Sequence, residues 1–340
     1  MRRLTRGRFW ALLAGFVALT VGAVFFGLLS GPSSLTAGDV LGALSEPGSV
    51  GAASDIVLRV RLPRVLLALL VGASLATSGV VFQALLHNPL ADPYVLGVSG
   101  GAALAGITML TFGAAAGFGA AAVPPAAFAG SAVATLALYA LAGVGGRVSP
   151  TSLLLTGVVF NAFASAAIVF IASLAGLDDG ARIFLWLIGN LSAAAFGASG
   201  PVALFLALGF GVAALLARSL NLLALGDEAA ESLGVATEAQ KRWLLGATAL
   251  MVGAAVSVAG LVGFVGLIVP HLLRIAIGAD HRLLVPGAAL VGGAFLVVCD
   301  TVARTALGGR EIPVGAVTAM VGGPLFLWLL RRNQHRVLVP

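Results

Sequence analysis

The chain has 340 residues, 60% of them hydrophobic and 9% charged, with a mean hydropathy of +1.09 and a formal net charge of +6. That balance excludes a water-soluble globular domain and a disordered chain, and the 46 glycines follow no collagen-like period. The single cysteine, Cys299, excludes an intrachain disulfide and any cysteine-rich metal site.

About 20 apolar residues in a helix cross the hydrocarbon core of a bilayer. Taken in chain order, apolar runs between charged residues or Pro/Gly breaks predict ten spans, at 9–29, 65–86, 94–112, 120–142, 153–175, 201–217, 243–261, 264–277, 283–303 and 313–330. The expected fold class is therefore all-α, a polytopic membrane protein whose residues 1–340 form a single transmembrane domain. The first run, at 21 residues, is longer than the apolar region of a secretory signal and no small-residue cleavage site follows it, so it reads as a retained helix. The run IFLWLIGN after Arg182 is too short to span and reads as a re-entrant half-helix shielded by protein.

Ten spans put both chain ends on one side, and both are rich in arginine: Arg2, Arg3, Arg6 and Arg8, then Arg331, Arg332 and Arg336. Both termini are accordingly expected in the cytoplasm. The same alternation puts Arg147, Arg218, Lys241, Arg242, Arg274 and Arg282 inside, and leaves Arg59, Arg61, Arg64, Arg182, Arg304 and Arg310 outside, against the bias. Basicity here follows topology, and nucleic acid is not an expected partner.

Two segments echo one another. GASLATSG (Gly72–Gly79) runs toward the cytoplasm and GAAVSVAG (Gly253–Gly260) runs outward, each followed by a proline-broken segment and then Gly-Ala-Ala-Leu. Opposite directions fit an inverted repeat, a common plan in transporters, although small-residue helix packing produces similar octapeptides.

Between the second and third spans, VVFQALLHNPLADPYVLGVSGGAAL (Val80–Leu104) gathers Gln83, His87, Asn88, Pro89, Asp92 and Pro93. Prolines there free backbone groups, which a membrane tolerates only against protein or a water-filled cavity, so the break marks a passage or a buried joint. Gln83 and Asn161 are candidates for lining a path, with interhelical hydrogen bonding as the commoner use of such amides. His87 reads as a helix-end residue and His271, after Pro270, as a helix-start residue.

The longest polar insertion on the expected cytoplasmic side is residues 220–235, containing NLLALGDEAAESLGV (Asn221–Val235). After Gly226, Asp227 and Glu228 lie where carboxylates favour a helix N-terminus, Ala229, Ala230 and Leu233 can make an apolar side, and Gly234 ends the turn. A phosphate-cradling loop needs a lysine after its glycines. The one lysine, Lys241 in TEAQKRWLL, follows no glycine loop, so energy must come from a partner or an ion gradient.

These motifs carry a family likeness. RLPRVLLALLVGASLATSGVVFQALLHNPLADPYVLGVSGGAAL, LLALGDEAAESLGV, GFVGLIVPHLLR, GADHRLLVPGAAL and EIPVGAVTAMVGGPLFLWLL together resemble the membrane subunit of ABC importers for iron-siderophores, haem and cobalamin, over nearly the whole chain. The resemblance implies a homodimeric permease in the bacterial inner membrane, two cytoplasmic ATPase subunits that hold ATP and magnesium, and a substrate-binding protein that docks from outside. It implies no cofactor or metal on this chain itself, and ferric siderophore as the commonest cargo, with haem and cobalamin as the others.

Carried onto this sequence, the resemblance makes Arg61 and Arg64 of RLPR, with Arg304 of the D-x-x-x-R pattern that starts at Asp300, partners for acidic residues of the binding protein; Arg59 and Arg310 are looser candidates. It makes Gly226, Asp227, Glu228, Ala230, Leu233 and Gly234 the ATPase-coupling helix. It makes Asn88, Pro89, Leu90 and Ala91, with Ser149, Pro150 and Thr151, constrictions at the cytoplasmic mouth; Pro150 stands where other members carry a hydroxyl residue.

Two readings from other classes draw on the same residues. GVSG (Gly97–Gly100) is the G-x-S-G pattern of intramembrane serine proteases, with Ser99 as nucleophile and His271 as base. An ion-coupled carrier needs an intramembrane carboxylate, for which Asp300 is the candidate, with Arg304 one turn away as its partner.

Overall fold

The structure, a computed structural model, describes residues 5–33, 35–46, 51–94, 96–144, 147–191, 196–308 and 310–337. Arg2 and Arg3, and the side chains of Arg332 and Arg336, lie outside the described set. The helices in chain order are α1 (Arg6–Leu29), α2 (Ala37–Ser45), α3 (Ala52–Asp55), α4 (Leu62–Leu85), α5 (Val98–Phe112), α6 (Val123–Ala142), α7 (Pro150–Leu174), α8 (Leu177–Ile188), α9 (Phe196–Leu215), α10 (Ala217–Leu223), α11 (Asp227–Ser232), α12 (Thr237–Ala259), α13 (Val265–Ile277), α14 (His281–Thr305) and α15 (Val314–Val337). A π-helical stretch, Ile56–Arg61, joins α3 to α4, and two short antiparallel strands, β1 (Gly143–Val144) and β2 (Arg147–Val148), make a hairpin before α7.

Among the described residues seven helical stretches are long and apolar enough to cross a membrane, and α5, α13 and the apolar part of α15 are shorter apolar helices. Together they coincide with all ten predicted spans. The protein is all-α and polytopic, as its composition requires.

Burial separates a core from a perimeter. Of the most apolar 18 residues, 83% are buried in α4 and 72% in α12, against 17% in α7 and in α9. The core helices reach that burial through small residues that let backbones touch. A Cβ on Gly72 would collide with the Gly292 carbonyl of α14, and one on Gly79 with that of Gly266 in α13. GASLATSG is thus a crossing surface, and in GAAVSVAG Gly253 makes room for the Ser131 side chain of α6.

The contact pattern repeats with the halves exchanged. Helix α4 packs on α13 and α14, while α12 packs on α5 and α6. Counting spans, the second helix of each half sits against the third and fourth of the other, which is the exchange an inverted repeat produces.

Helix α8 covers the run predicted to be re-entrant. Twelve residues rise about 18 Å, well short of a bilayer core of about 30 Å. Its end is bonded into protein: Leu261 N donates to Trp186 O (3.2 Å), Asn190 N to Ala259 O (2.9 Å) and Gly315 N to Gly189 O (3.4 Å). No backbone group in that set has to face lipid.

Candidate functional site

The polar insertion folds as α10, a turn, and α11. Gly226 has φ +112° and Gly234 φ +85°, conformations that cost a residue with a Cβ far more than glycine. Gly234 N donates to Glu231 O (2.9 Å) and Val235 N to Ala230 O (3.0 Å), the paired bonds of a Schellman terminus, so the expected stop after Leu233 is present. Leu225, Glu228 and Leu233 are exposed on this element. Ala230 is not: it is fully buried against its own chain, and the expectation that it forms part of an open apolar side is overturned. The exposed leucines flank the short helix, Leu225 before its N-cap and Leu233 at its C-cap.

Asp227 also turns inward. Lys241 Nζ, in a side chain 6% exposed, donates to Asp227 Oδ2 (2.6 Å), to Glu238 Oε1 (3.1 Å) and to Val148 O (2.9 Å). An ammonium has three donors, and here each finds an acceptor on a different element: α11, α12 and β2. Glu231 accepts from Thr237 Oγ1 (2.7 Å) and pairs with Arg147 (3.6 Å). Asn221, at the start of the insertion, donates to Asp280 Oδ1 (3.1 Å) and accepts from His281 N (2.8 Å). Asp280 also takes hydrogen bonds from Arg282, the largest cause of a carboxyl pKa lowered to about 2.

Both expected gate segments lie at this end. After α4, His87 adopts φ +49° and its Nε2 bonds Leu223 O of α10 (2.6 Å). Asn88 Oδ1 accepts from Leu90 N (2.9 Å), so Asn88, Pro89 and Leu90 form a tight turn in which Pro89 and Leu90 are exposed and Ala91 is buried. Asp92 follows, buried, accepting from Tyr94 N (2.8 Å), and desolvation raises its carboxyl pKa to about 6. In the second segment Ser149 Oγ accepts from Ser152 N (3.0 Å) and caps α7, while Pro150 takes the first helical position, where a missing N–H costs nothing. Ser149 and Thr151 are exposed.

Gln83 and Asn161 act as cross-links. Gln83 is buried and donates to Leu267 O (3.2 Å) across to α13, and Asn161 Nδ2 donates to Tyr94 O. Gln83 thus makes the interhelical bond expected of such an amide, and Asn161 ties α7 to the turn before α5.

The outward arginines require a correction. Arg61, Arg64 and Arg304 were expected on an exposed rim, and all three are buried, at 3%, 8% and 5%. Arg61 donates to Leu28 O (2.6 Å), Leu29 O (2.8 Å), Ser33 O (2.7 Å) and Ser33 Oγ (2.8 Å), satisfying the carbonyls at the end of α1. Arg64 grips Asp300 through Nε (3.0 and 3.1 Å) and Glu311 through a second nitrogen (2.9 and 3.0 Å). Arg304 donates to Gly27 O and sits 3.6 Å from Asp300. A guanidinium carries five donors and no acceptor, and free carbonyls at a helix end can take up those donors without an acidic partner. At the same end Arg59, its side chain 81% exposed and paired with Asp55 (3.1 Å), and Arg310 are exposed.

The catalytic reading lacks its contact. Ser99 is buried with no hydrogen-bond partner for Oγ, and Nδ1 of buried His271 has none either, so neither bonds the other through those atoms. Asp300 is fully buried between two arginines, unlike an ion site open to a pathway. Among the described residues no three His, Cys, Asp or Glu side chains gather as a metal site.

Ten apolar helices in exchanged halves, a short re-entrant helix at one end and a glycine-bounded helix beside two proline-broken loops at the other define a polytopic transport permease. Residues 19–332 match the model of the FecCD transport family, and the chain belongs to that family. It is 42% identical over 286 residues to the cobalamin import system permease protein BtuC of Halobacterium salinarum, covering 84% of this chain and 76% of that one. It is 43% identical over 293 residues to the hemin transport system permease protein HmuU of Yersinia pestis, covering 83% and 84%. Its fold is similar to that of a metal-chelate type ABC transporter in an inward-facing conformation, with a TM-score of 0.83 and 29% identity over 95% of this chain and 99% of the other.

Sequence reading missed the part Lys241 plays, noting only that it follows no phosphate loop. Its signal was present: one lysine in 340 residues, placed at the polar start of a core helix.

Proposed function

We propose that this chain is the membrane-spanning subunit of an ABC importer that brings a metal chelate into the cytoplasm, powered by ATP hydrolysis on a separate subunit. The observation that carries the reading is the glycine-bounded helix α11, flanked by exposed Leu225 and Leu233 and bonded with α10 to the neighbourhood of both loops assigned as gates. Such an element suits a cleft on a soluble ATPase, because two proteins exchange force only through a stiff, exposed contact. ATP and magnesium belong to that partner, and this chain holds no cofactor.

The working assembly is two copies of this permease, two ATPase subunits and an extracytoplasmic binding protein, in a bacterial inner membrane with both termini of the permease in the cytoplasm. Exposed apolar side chains along α7 (Leu155, Val159, Phe163) and α15 (Met320, Leu327) suit lipid or the second copy. With Arg61, Arg64 and Arg304 enclosed, exposed Arg59 and Arg310, with Arg182 also exposed on that side, are cations offered to an acidic docking face, where rim charges set on-rate and register more than affinity.

The cargo is a large chelate of the class that includes ferric siderophore, haem and cobalamin. The names of the relatives make cobalamin and haem the first two probes and a ferric siderophore the third. The test is uptake into vesicles holding the permease with its ATPase and binding protein, each probe in turn, with ATP inside or absent. ATP-dependent uptake of one probe supports the reading. Uptake driven by a proton or sodium gradient without the ATPase would replace it with an ion-coupled carrier.

A further inference from the structure

We propose that Lys241 and His87 are positioning residues that tie the ATPase-facing insertion to the two gate loops, one contact to each. This rests on the reading above, in which 220–235 is the coupling segment and 88–91 and 149–151 are the gates.

The first tie runs through Lys241. Its ammonium holds Asp227 of α11 and the carbonyl of Val148 at the same time, at 2.6 and 2.9 Å. Val148 immediately precedes Ser149, the cap of α7 and the first residue of the second gate. Glu238 completes the grip, accepting from Lys241 and, at 3.4 Å, from Val148 N, so both backbone polar groups of Val148 are held from α12. The Lys241 contact to Asp227 is short and charge-assisted, the strong kind of hydrogen bond, and the chain from α11 to the loop is one side chain long.

The second tie runs through His87. Its Nε2 lies 2.6 Å from Leu223 O, in the last turn of α10 and three residues before Gly226. His87 is held at φ +49°, a conformation uncommon for a residue with a Cβ, and Asn88 is the next residue. A strained position of this kind persists where its surroundings fix it, and here the fixing partner is the coupling segment. Displacing α10 and α11 must therefore break both contacts or carry Val148 and His87 along, and the two loops are then driven by separate contacts.

The experiment uses the assembled permease–ATPase complex, isolated through the ATPase so that only assembled molecules are read. Thr151→Cys and Leu90→Cys, each at an exposed site, report on one gate apiece by their rate of labelling with a maleimide; the native Cys299 is buried. Without substitution at the ties, each labelling rate should differ at least about fivefold between the nucleotide-free and ATP-vanadate states, the low end of ordinary coupling. Asp227→Asn or Lys241→Met should abolish the difference at 151 and keep it at 90. His87→Ala should do the reverse, and Lys241→Arg, which keeps charge and donors, should retain part of the difference at 151. Where Lys241→Met yields no complex, Asp227→Asn and His87→Ala still decide. Differences that survive at both reporters in Asp227→Asn and His87→Ala, or that vanish at both together, overturn the proposal while leaving the gates assigned. No nucleotide response in the unsubstituted background overturns the gate assignment, and the proposal with it.

Discussion

Arg64 and Asp300, 236 residues apart in sequence, form a buried ion pair with the guanidinium Nε within 3.0 and 3.1 Å of the two carboxylate oxygens. The pair joins α4 to α14, the two most extensively packed helices, directly beyond the Gly72–Gly292 crossing. Small residues let the helices approach and the ion pair fixes their register at the outer end. Arg304, one turn on from Asp300, extends the lock to α1 through Gly27 O.

Breaking that pair from one side should be costly. Removing one partner of a buried ion pair leaves the other uncompensated and typically costs about 3–5 kcal/mol. Arg64→Ala and Asp300→Ala should each lower the detergent-solubilised permease's melting temperature sharply, and Glu311→Gln much less, because Glu311 is half exposed. Removing Arg64 and Asp300 together should cost less than the sum of the singles. Additive losses in the thermal-melt double-mutant cycle would mean that the two residues act independently.

Two apolar residues of the coupling segment, Ala230 and Leu233, should separate by effect. Ala230 is fully buried and Leu233 is 62% exposed. Ala230→Leu overpacks the interior at about 1–3 kcal/mol and should lower stability, whereas Leu233→Glu should leave the melt unchanged and reduce the ATPase retained on the permease in a pull-down. Full retention with Leu233→Glu would move the ATPase contact elsewhere.

Two carboxylates outside the spans give opposite pH dependences. Asp92 is raised by burial from 3.8 to about 6, so the folded state holds its proton more tightly and stability should fall as pH rises from about 4 through 6. At about 1.4 kcal/mol per unit the effect is at most about 3 kcal/mol, and Asp92→Asn should flatten that slope. Asp280 is lowered to about 2, first by its hydrogen bonds from Arg282, so its contribution is present above about 4 and lost as pH falls toward 2. Chemical denaturation of the unsubstituted protein, Asp92→Asn and Asp280→Asn from about pH 2 to 7 reads each slope, and an unchanged profile in Asp92→Asn would mean that Asp92 is hydrated in solution.

Much of this architecture was legible in the sequence because hydrophobic run length is a direct record of the bilayer. Ten runs gave ten helices, and Gly226 and Gly234 marked the ends of α11 because a positive φ selects glycine. Arg61, Arg64 and Arg304 were misread because the topology rule counts charges by side of the membrane and carries no information on burial. The carbonyls of Gly27, Leu28 and Leu29 that hold Arg61 and Arg304 leave no residue-type signal, whereas Asp300 and Glu311, the partners of Arg64, are visible as residue types and only their proximity is not. The lone Lys241 stood out in the sequence, but its grip could not be assembled there, since one of its three acceptors is the backbone oxygen of Val148.

The glycines supply the last prediction, because they divide into two groups that composition cannot tell apart. Gly72 and Gly79 face the carbonyls of Gly292 and Gly266, and a Cβ at either position would overlap backbone, which cannot rotate aside. Gly246, in the interior of α12, has open space around its Cβ position, beside a groove of about 460 Å³ lined by Trp243, Leu136 and Leu208. Alanine is a better helix residue than glycine by about 0.8–1 kcal/mol. Gly246→Ala should therefore hold or raise the melting temperature, while Gly72→Ala and Gly79→Ala should lower it, since α4 must separate from α14 or α13 along their most intimate contacts. Thermal melts of the three variants with ATP-dependent uptake alongside read both effects. Equal stability in all three would mean that these crossings are looser than the packing described here and that GASLATSG is not what seats α4 in the core.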